Sequence, residues 1–150
     1  MASLLIAIAD EVVAALNGSG SVGPFSIDFT ATRAYVPAKK LEDMADLWVV
    51  VVPRNLEKFI AGRDAWQKDY SVDIGVHQKV ADTENATVDP LMGLVEEIAD
   101  YFEGLRVETT PAAVCVEITH TAPYIVAHLK DLRVFASIIS LKFRLFQRKG

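Results

Sequence analysis

A single cysteine, Cys115, stands in 150 residues. That scarcity excludes an intramolecular disulfide and any zinc site built on paired cysteines, and it suits a reducing compartment. Positive charge is also in short supply: 15 Lys and Arg face 20 Asp and Glu, giving a formal net charge of −5 and a pI near 5.1. Nucleic-acid binding depends on clustered Lys and Arg that release counterions from phosphate, so this balance argues against DNA as a ligand. Long apolar runs are missing too. The opening MASLLIAIADEVVAALNG has no basic n-region, and Asp10 and Glu11 interrupt it short of a membrane span, so neither a signal peptide nor a transmembrane helix is expected there. Gly18, Gly20 and Gly23 precede a strand-like segment where phosphate-binding loops require a helix, so no nucleotide cofactor is expected.

What is present is a globular composition, 51% hydrophobic and 23% charged. A chain of this length fits one domain, residues 1–150, able to bury roughly two thirds of its unfolded surface. Ser3 is placed to cap a helix whose stripe is Leu5, Ile8, Val12 and Leu16, with Asn17 and Gly18 as its stop. After a Gly/Ser connector at 18–23, Phe25, Ile27, Phe29 and Ala31 alternate with polar residues and predict a half-buried strand. LWVVVV at 47–52 predicts a central strand covered on both faces and ended by Pro53. Tyr70, Val72, Ile74, Val76 and Val80 then alternate with Asp69, Ser71, Asp73, His77 and Lys79, a strand with one apolar and one solvated face. Asp89-Pro90 reads as a capped start to a second helix, striped by Leu91, Leu94, Val95, Ile98 and Phe102 and stopped by Gly104. AAVCVEITH at 112–120 predicts a short strand, residues 127–130 a helical turn, and VFASIISLKFRLF at 134–146 the last strand. The order α-β-β-β-α-β-β implies an α+β fold, a mostly antiparallel sheet with both amphipathic helices on one face.

Chemistry-bearing clusters are thin. His77, His120 and His128 match no metal-ligand spacing, and no metal or other cofactor is expected. Cys115 and His120 fall on opposite faces of a regular strand, which weakens a Cys/His nucleophile. Glu96, Glu97, Asp100 and Glu103 read as the wet side of the second helix. The unusual stretch is NLEKFIAGRDAWQ at 55–67, a strand-to-strand connection that displays Leu56, Phe59, Ile60 and Trp66 where polar turn chemistry is normal. An extended hairpin at about 53–68 is therefore expected, with Leu56, Phe59, Ile60, Arg63 and Trp66 as candidates for a subunit interface. The alternative is a short helix, marked by Leu56, Phe59 and Ile60, folded back onto its own sheet. Basic residues gather from Lys130 onward, at Arg133, Lys142, Arg144, Arg148 and Lys149, so an acidic face on one copy can meet a basic strand on another.

Five stretches in this order, FTATRAYVP (29–37), LEDMADLWVVVVP (41–53), GRDAWQKDYSVDIGV (62–76), DPLMGLVEEIADYFEG (89–104) and HLKDLRVFASIISLKFRL (128–145), cover more than half of the chain. In them the chain resembles the small tail terminator, or tail-completion, proteins of long-tailed bacteriophages and prophages. The resemblance implies a virion protein, not an enzyme, that forms a hexameric ring at the head-proximal end of the tail tube. Such a ring stops tube polymerisation and contacts the head-tail connector, with assembly in the host cytoplasm and no membrane. It also implies a lumen through which DNA passes without specific binding. Asp69 and Asp73, on the polar strand face, are the candidate lumen-facing acids. Three alternatives stand beside it: a neighbouring neck or head-completion protein, a non-viral bacterial binding module, and a small hydrolase using His77 or His120.

Overall fold

Both amphipathic segments form helices, and both lie on the same side of one sheet. The computed structural model describes residues 3–20, 25–36, 46–109 and 111–148. Helix α1 is Leu4–Gly20. Ser3 caps it, its hydroxyl oxygen accepting from Ile6 N at 3.4 Å and its carbonyl from Ala7 N at 3.0 Å. Ile8, Val12 and Leu16 are fully buried, as their spacing predicts. Asn17 does not end the helix. Its amide instead clamps a strand residue, Nδ2 donating to Ala31 O at 3.0 Å and Oδ1 accepting from Ala31 N at 2.7 Å.

Strand β1 is only Ala31–Arg33, and it runs parallel to β2. The alternation predicted from Phe25 to Thr32 is real, yet residues 25–30 pair with no strand, and Phe25 and Ser26 reach helix α2 (Asn85–Phe102). Phe25 meets the Tyr101 ring edge-on at 5.5 Å, and Ser26 donates from both N and Oγ to Glu97 Oε2 at 3.2 and 2.8 Å. Glu97 is thus a tether between segments, while Glu96, Asp100 and Glu103 stay exposed.

Strand β2 is Trp48–Ile60, β3 is Ala65–Lys79 and β6 is Val134–Arg148; β4 (Arg106–Val107) and β5 (Ala113–Ala122) complete a six-stranded sheet in the order β1-β2-β3-β6-β5-β4. All pairings except β1 with β2 are antiparallel. The fold is α+β, with the short β4 added to the predicted order. The β-branched run at 47–52 predicts a central strand, but β3 and β6 hold the centre and β2 is flanked by three-residue β1. Pro53 does not end β2. The pairing with β1 stops at Val51, so the missing N–H of Pro53 removes no bond to β1.

The start of α2 also differs from Asp89-Pro90. Asp82 accepts from Glu84 N at 3.0 Å and from Thr87 Oγ1 at 2.7 Å, which turns the chain into a helix at Asn85 and leaves Pro90 inside it. Its C-terminal stop is as predicted: Gly104 takes φ +69°, a conformation that carries a steric penalty for residues with a Cβ. A π-helical turn at His128–Leu132 leads into β6.

The core lies between the helices and one sheet face. Ile8, Val12, Leu94 and Ile98 meet Val49, Val51, Val72, Ile74, Ile139 and Phe143, all fully buried. Each such side chain contributes about 1.5–3 kcal/mol through burial, and the registers of β3 and β6 keep this set on one face. The opposite face carries no helix among the described residues, and it holds Phe59, Asp69 and Asp73 of the candidate residues.

Candidate functional site: the projecting end of the sheet

Three strands run past the helices. Beyond Pro53, β2 stays paired with β3 to Ile60↔Trp66, and β3 with β6 to Ala65↔Arg148. The turn is Ala61–Asp64, closed by Ala61 N donating to Ala65 O at 3.0 Å. Residues 55–60 are therefore strand, and the alternative of a short helix folded back on the sheet is ruled out.

One irregularity decides which side chain faces where. The pairing steps from Pro53↔Val72 to Asn55↔Ser71, leaving Arg54 as a bulge. Before it, Val50 and Val52 lie opposite Gly75 and Asp73 on the open face. After it the parity inverts: Phe59 opposite Gln67 takes the open face, while Leu56 and Ile60, opposite Tyr70 and Trp66, take the helix side. The apolar residues of the tip are thus divided between two faces. Leu56 is 54% exposed, Phe59 44% and Ile60 68%, and Phe146, which pairs with Gln67 from the other side, is 59% exposed. Phe146 was not among the predicted residues. Its signal in the sequence was the break in alternation at Leu145-Phe146.

Trp66 is half-buried, with Lys58 Nζ 4.4 Å above its ring. Lys58 stands directly opposite Lys68, a like-charge pair that repels. Each lysine finds another partner, Lys58 the indole and Lys68 the Gln147 Oε1 at 2.5 Å. Arg63 is exposed in the turn.

Below the tip a polar belt crosses the open face. Arg144 grips Asp69 with two bonds, Nε to Oδ1 at 2.9 Å and Nη2 to Oδ2 at 3.1 Å, and Gln67 Nε2 adds contacts of 3.3 Å to both oxygens. The Arg144 guanidinium holds the Asp69 carboxyl below its ordinary range, against the opposing effect of burial. Asp73 accepts from Ser140 Oγ at 2.7 Å and lies 3.7 Å from Arg54 Nε. Lys142 reaches Glu117 at 3.4 Å. The expected solvated face is therefore wrong at Asp69, 5% exposed, and at Ser71, also buried. Long neighbours on the same face, Arg144 and Gln67, lie across the carboxylate and exclude water. The basic residues Lys142 and Arg144 spend their charge inside this belt.

At the far end of the open face is an apolar cavity of about 210 Å³, lined by Val50, Val52, Asp73, Gly75, His77 and Ile138. His77 stacks on Trp48 with ring centroids 5.0 Å apart. Its Nε2 is buried with no hydrogen-bond partner among the described residues. Burial, helped by the charge of His128, pushes its pKa down to about 4, so the ring is neutral at physiological pH.

Cys115 and His120 share a face after all. A bulge between Cys115 and Glu117 shifts the register, so both point to the helix side of β5 and line a cavity of about 300 Å³ beside the end of α2. Burial pushes the Cys115 thiol up to about 11, which leaves it protonated at neutral pH and a poor nucleophile. Among the described residues no group of three or more His, Cys, Asp or Glu is placed to hold a metal ion, and no helix is long and apolar enough to cross a membrane. Comparison with protein-family models and with curated proteins returned no match.

Proposed function

We propose that this chain is a structural protein of a long-tailed phage, forming a ring, hexameric by the resemblance, at the head-proximal end of the tail tube. There it would end tube polymerisation and join the tail to the head connector. One observation carries the reading: the projecting end of β2, β3 and β6 exposes Leu56, Phe59, Ile60 and Phe146 on both of its faces. Exposed apolar side chains on both faces of a projecting ribbon invite aggregation on a monomer unless a partner covers them. We take a neighbouring copy as the cover, since a ribbon that projects from one end of a subunit can make a head-to-tail contact, and such contacts form rings where the rotation between copies closes. Phe59 and Phe146 are the aromatic anchors that typically dominate such a contact.

The net charge of −5 fits a ring that lets DNA pass without gripping it. Asp69 and Asp73 would lie within the lumen wall, their charge already met by Arg144 and Arg54.

Mass measurement in solution tests the proposal, with the chain alone and mixed with a phage tail tube protein. The expected species is a closed multiple of 16.4 kDa. A particle that remains at one subunit mass in both samples overturns it. A ring that binds a head connector protein but no tube shifts the assignment to the neighbouring neck position.

A further inference from the structure

The segment between β5 and β6 turns apolar side chains outward although its backbone is held in place. Ile125 N donates to Ala136 O at 3.0 Å, Leu129 N to Ile125 O at 3.1 Å, and Val80 N to Arg133 O at 2.8 Å, so the chain is pinned to β6 and to the residue that follows β3. Leu129 packs against the core, while Tyr124, Val126 and Leu132 are exposed. Apolar surface that is already ordered loses little freedom when a partner settles on it. The π-helical turn ends at Arg133, whose φ of +55° is the one positive value at a non-glycine position among the described residues. Glycine would adopt that conformation without penalty, and strain kept at a charged residue points to a use for its side chain.

Beside this turn lies an open pocket of about 230 Å³, lined by Val126, Leu129, Lys130, Arg133 and Thr83. Lys130 and Arg133 form no ion pair among the described residues, unlike Arg54, Lys142 and Arg144 on the open face. Asp82 uses its carboxylate on Glu84 N and Thr87 Oγ1, and Asp131 of the same turn lines no part of the pocket. Two unpaired cations beside apolar walls match an apolar side chain flanked by carboxylates. A phosphate backbone would answer the cations but offers nothing to Val126 and Leu129.

We infer that this pocket docks a protein segment of acidic and apolar residues, an apolar side chain resting on Val126 and Leu129 and its neighbouring carboxylates on Lys130 and Arg133. The pocket adjoins the start of β6 at Val134 and the projecting tip lies at its end, so the two surfaces are separate and the inference does not depend on the ring reading.

Fluorescence anisotropy with three labelled synthetic peptides tests it: Leu flanked by Asp, Leu flanked by Lys, and Ser flanked by Asp. Only the first is expected to bind the wild-type chain. Combining Lys130→Glu with Arg133→Glu should weaken that binding about tenfold or more while circular dichroism stays native. Lys130→Glu alone, at an exposed position with ordinary backbone geometry, should weaken it by a smaller factor, as should Val126→Ser. Equal binding of the three peptides, no binding of any, or binding that Lys130→Glu leaves unchanged overturns the docking site. Tighter binding of single-stranded DNA or of phosphatidylglycerol vesicles than of the Asp-flanked Leu peptide also overturns it and assigns the two cations to phosphate.

Discussion

The Arg144 guanidinium closes over Asp69 with two bonds of 2.9 and 3.1 Å, and the two partners are not equally buried: the Asp69 side chain is 6% exposed and that of Arg144 36%. Losing either partner should therefore have unequal consequences. Asp69→Ala leaves an arginine that can turn to water and should cost about 1 kcal/mol, whereas Arg144→Ala strands a buried carboxylate and should cost about 2–4 kcal/mol. Urea unfolding of the two variants measures the difference. The folded pKa of Asp69 lies below its unfolded value, so the pair stabilises the protein fully above about pH 4, and that contribution is lost as pH falls through the folded value.

His77 sets a second, higher pH window. Its pKa falls from an ordinary 6.5 to about 4 on folding, so the unfolded chain takes up a proton over a range where the folded one does not. Stability should be complete above pH 6.5, decline as pH falls from 6.5 to 4, and lose about 1–2 kcal/mol there, since the ring is partly exposed. Replacing His77 with Phe should flatten that part of the stability profile while leaving the loss below pH 4 attributable to carboxylates. Thermal unfolding between pH 4 and 8 distinguishes the two profiles.

Gly75 and His77 should be coupled. Gly75→Ala introduces a Cβ only 2.8 Å from Nε2, so the ring must leave its stack on Trp48, at an expected cost of about 1–3 kcal/mol. In a His77→Ala background most of that cost should vanish, leaving the 3.0 Å approach to Val50. A double-mutant cycle by denaturant unfolding reads the coupling directly.

Asn17→Ala removes both bonds to the backbone of Ala31. The expected loss is about 1–2 kcal/mol, centred on β1. Hydrogen exchange should show it as faster exchange at the amide of Ala31, with the β3 and β6 amides unaffected.

Exposed tip residues should separate assembly from folding. Phe59→Ser and Ile60→Ser should leave stability within about 0.5 kcal/mol of the parent, as surface substitutions do, while reducing the oligomer seen by light scattering. Trp66→Ser should differ, because the half-buried indole also serves as the partner of Lys58.

Periodicity made the core legible. The α2 stripe, the stop at Gly104 and the apolar row from Tyr70 to Val76 each follow from a pattern carried within one element. What escaped was set by other elements. Arg54 bulges because of how β2 meets β3, and nothing in RNLEKFI announces that Phe59 will take the open face and Leu56 and Ile60 the helix side. The same holds for the bulge that brings Cys115 and His120 to one face. Proline removes a donor and so predicts boundaries at Pro53 and Pro90, but Pro53 sits past the β1 pairing and Pro90 inside a helix begun by Asp82. At the candidate site, composition located the exposed tip, while the burial of Asp69 depended on Arg144, 75 residues away.

Arg54 makes β2 tolerant of change at one position and nowhere beyond it. Excising this one residue would join Pro53↔Val72 directly to Asn55↔Ser71 and leave Phe59 opposite Gln67, every later side chain keeping its direction. Excising Glu57 instead would draw Phe59 opposite Lys68 and turn it toward the helices, so a lineage could re-address the ribbon by losing a single codon past the bulge, but not by losing the bulge itself.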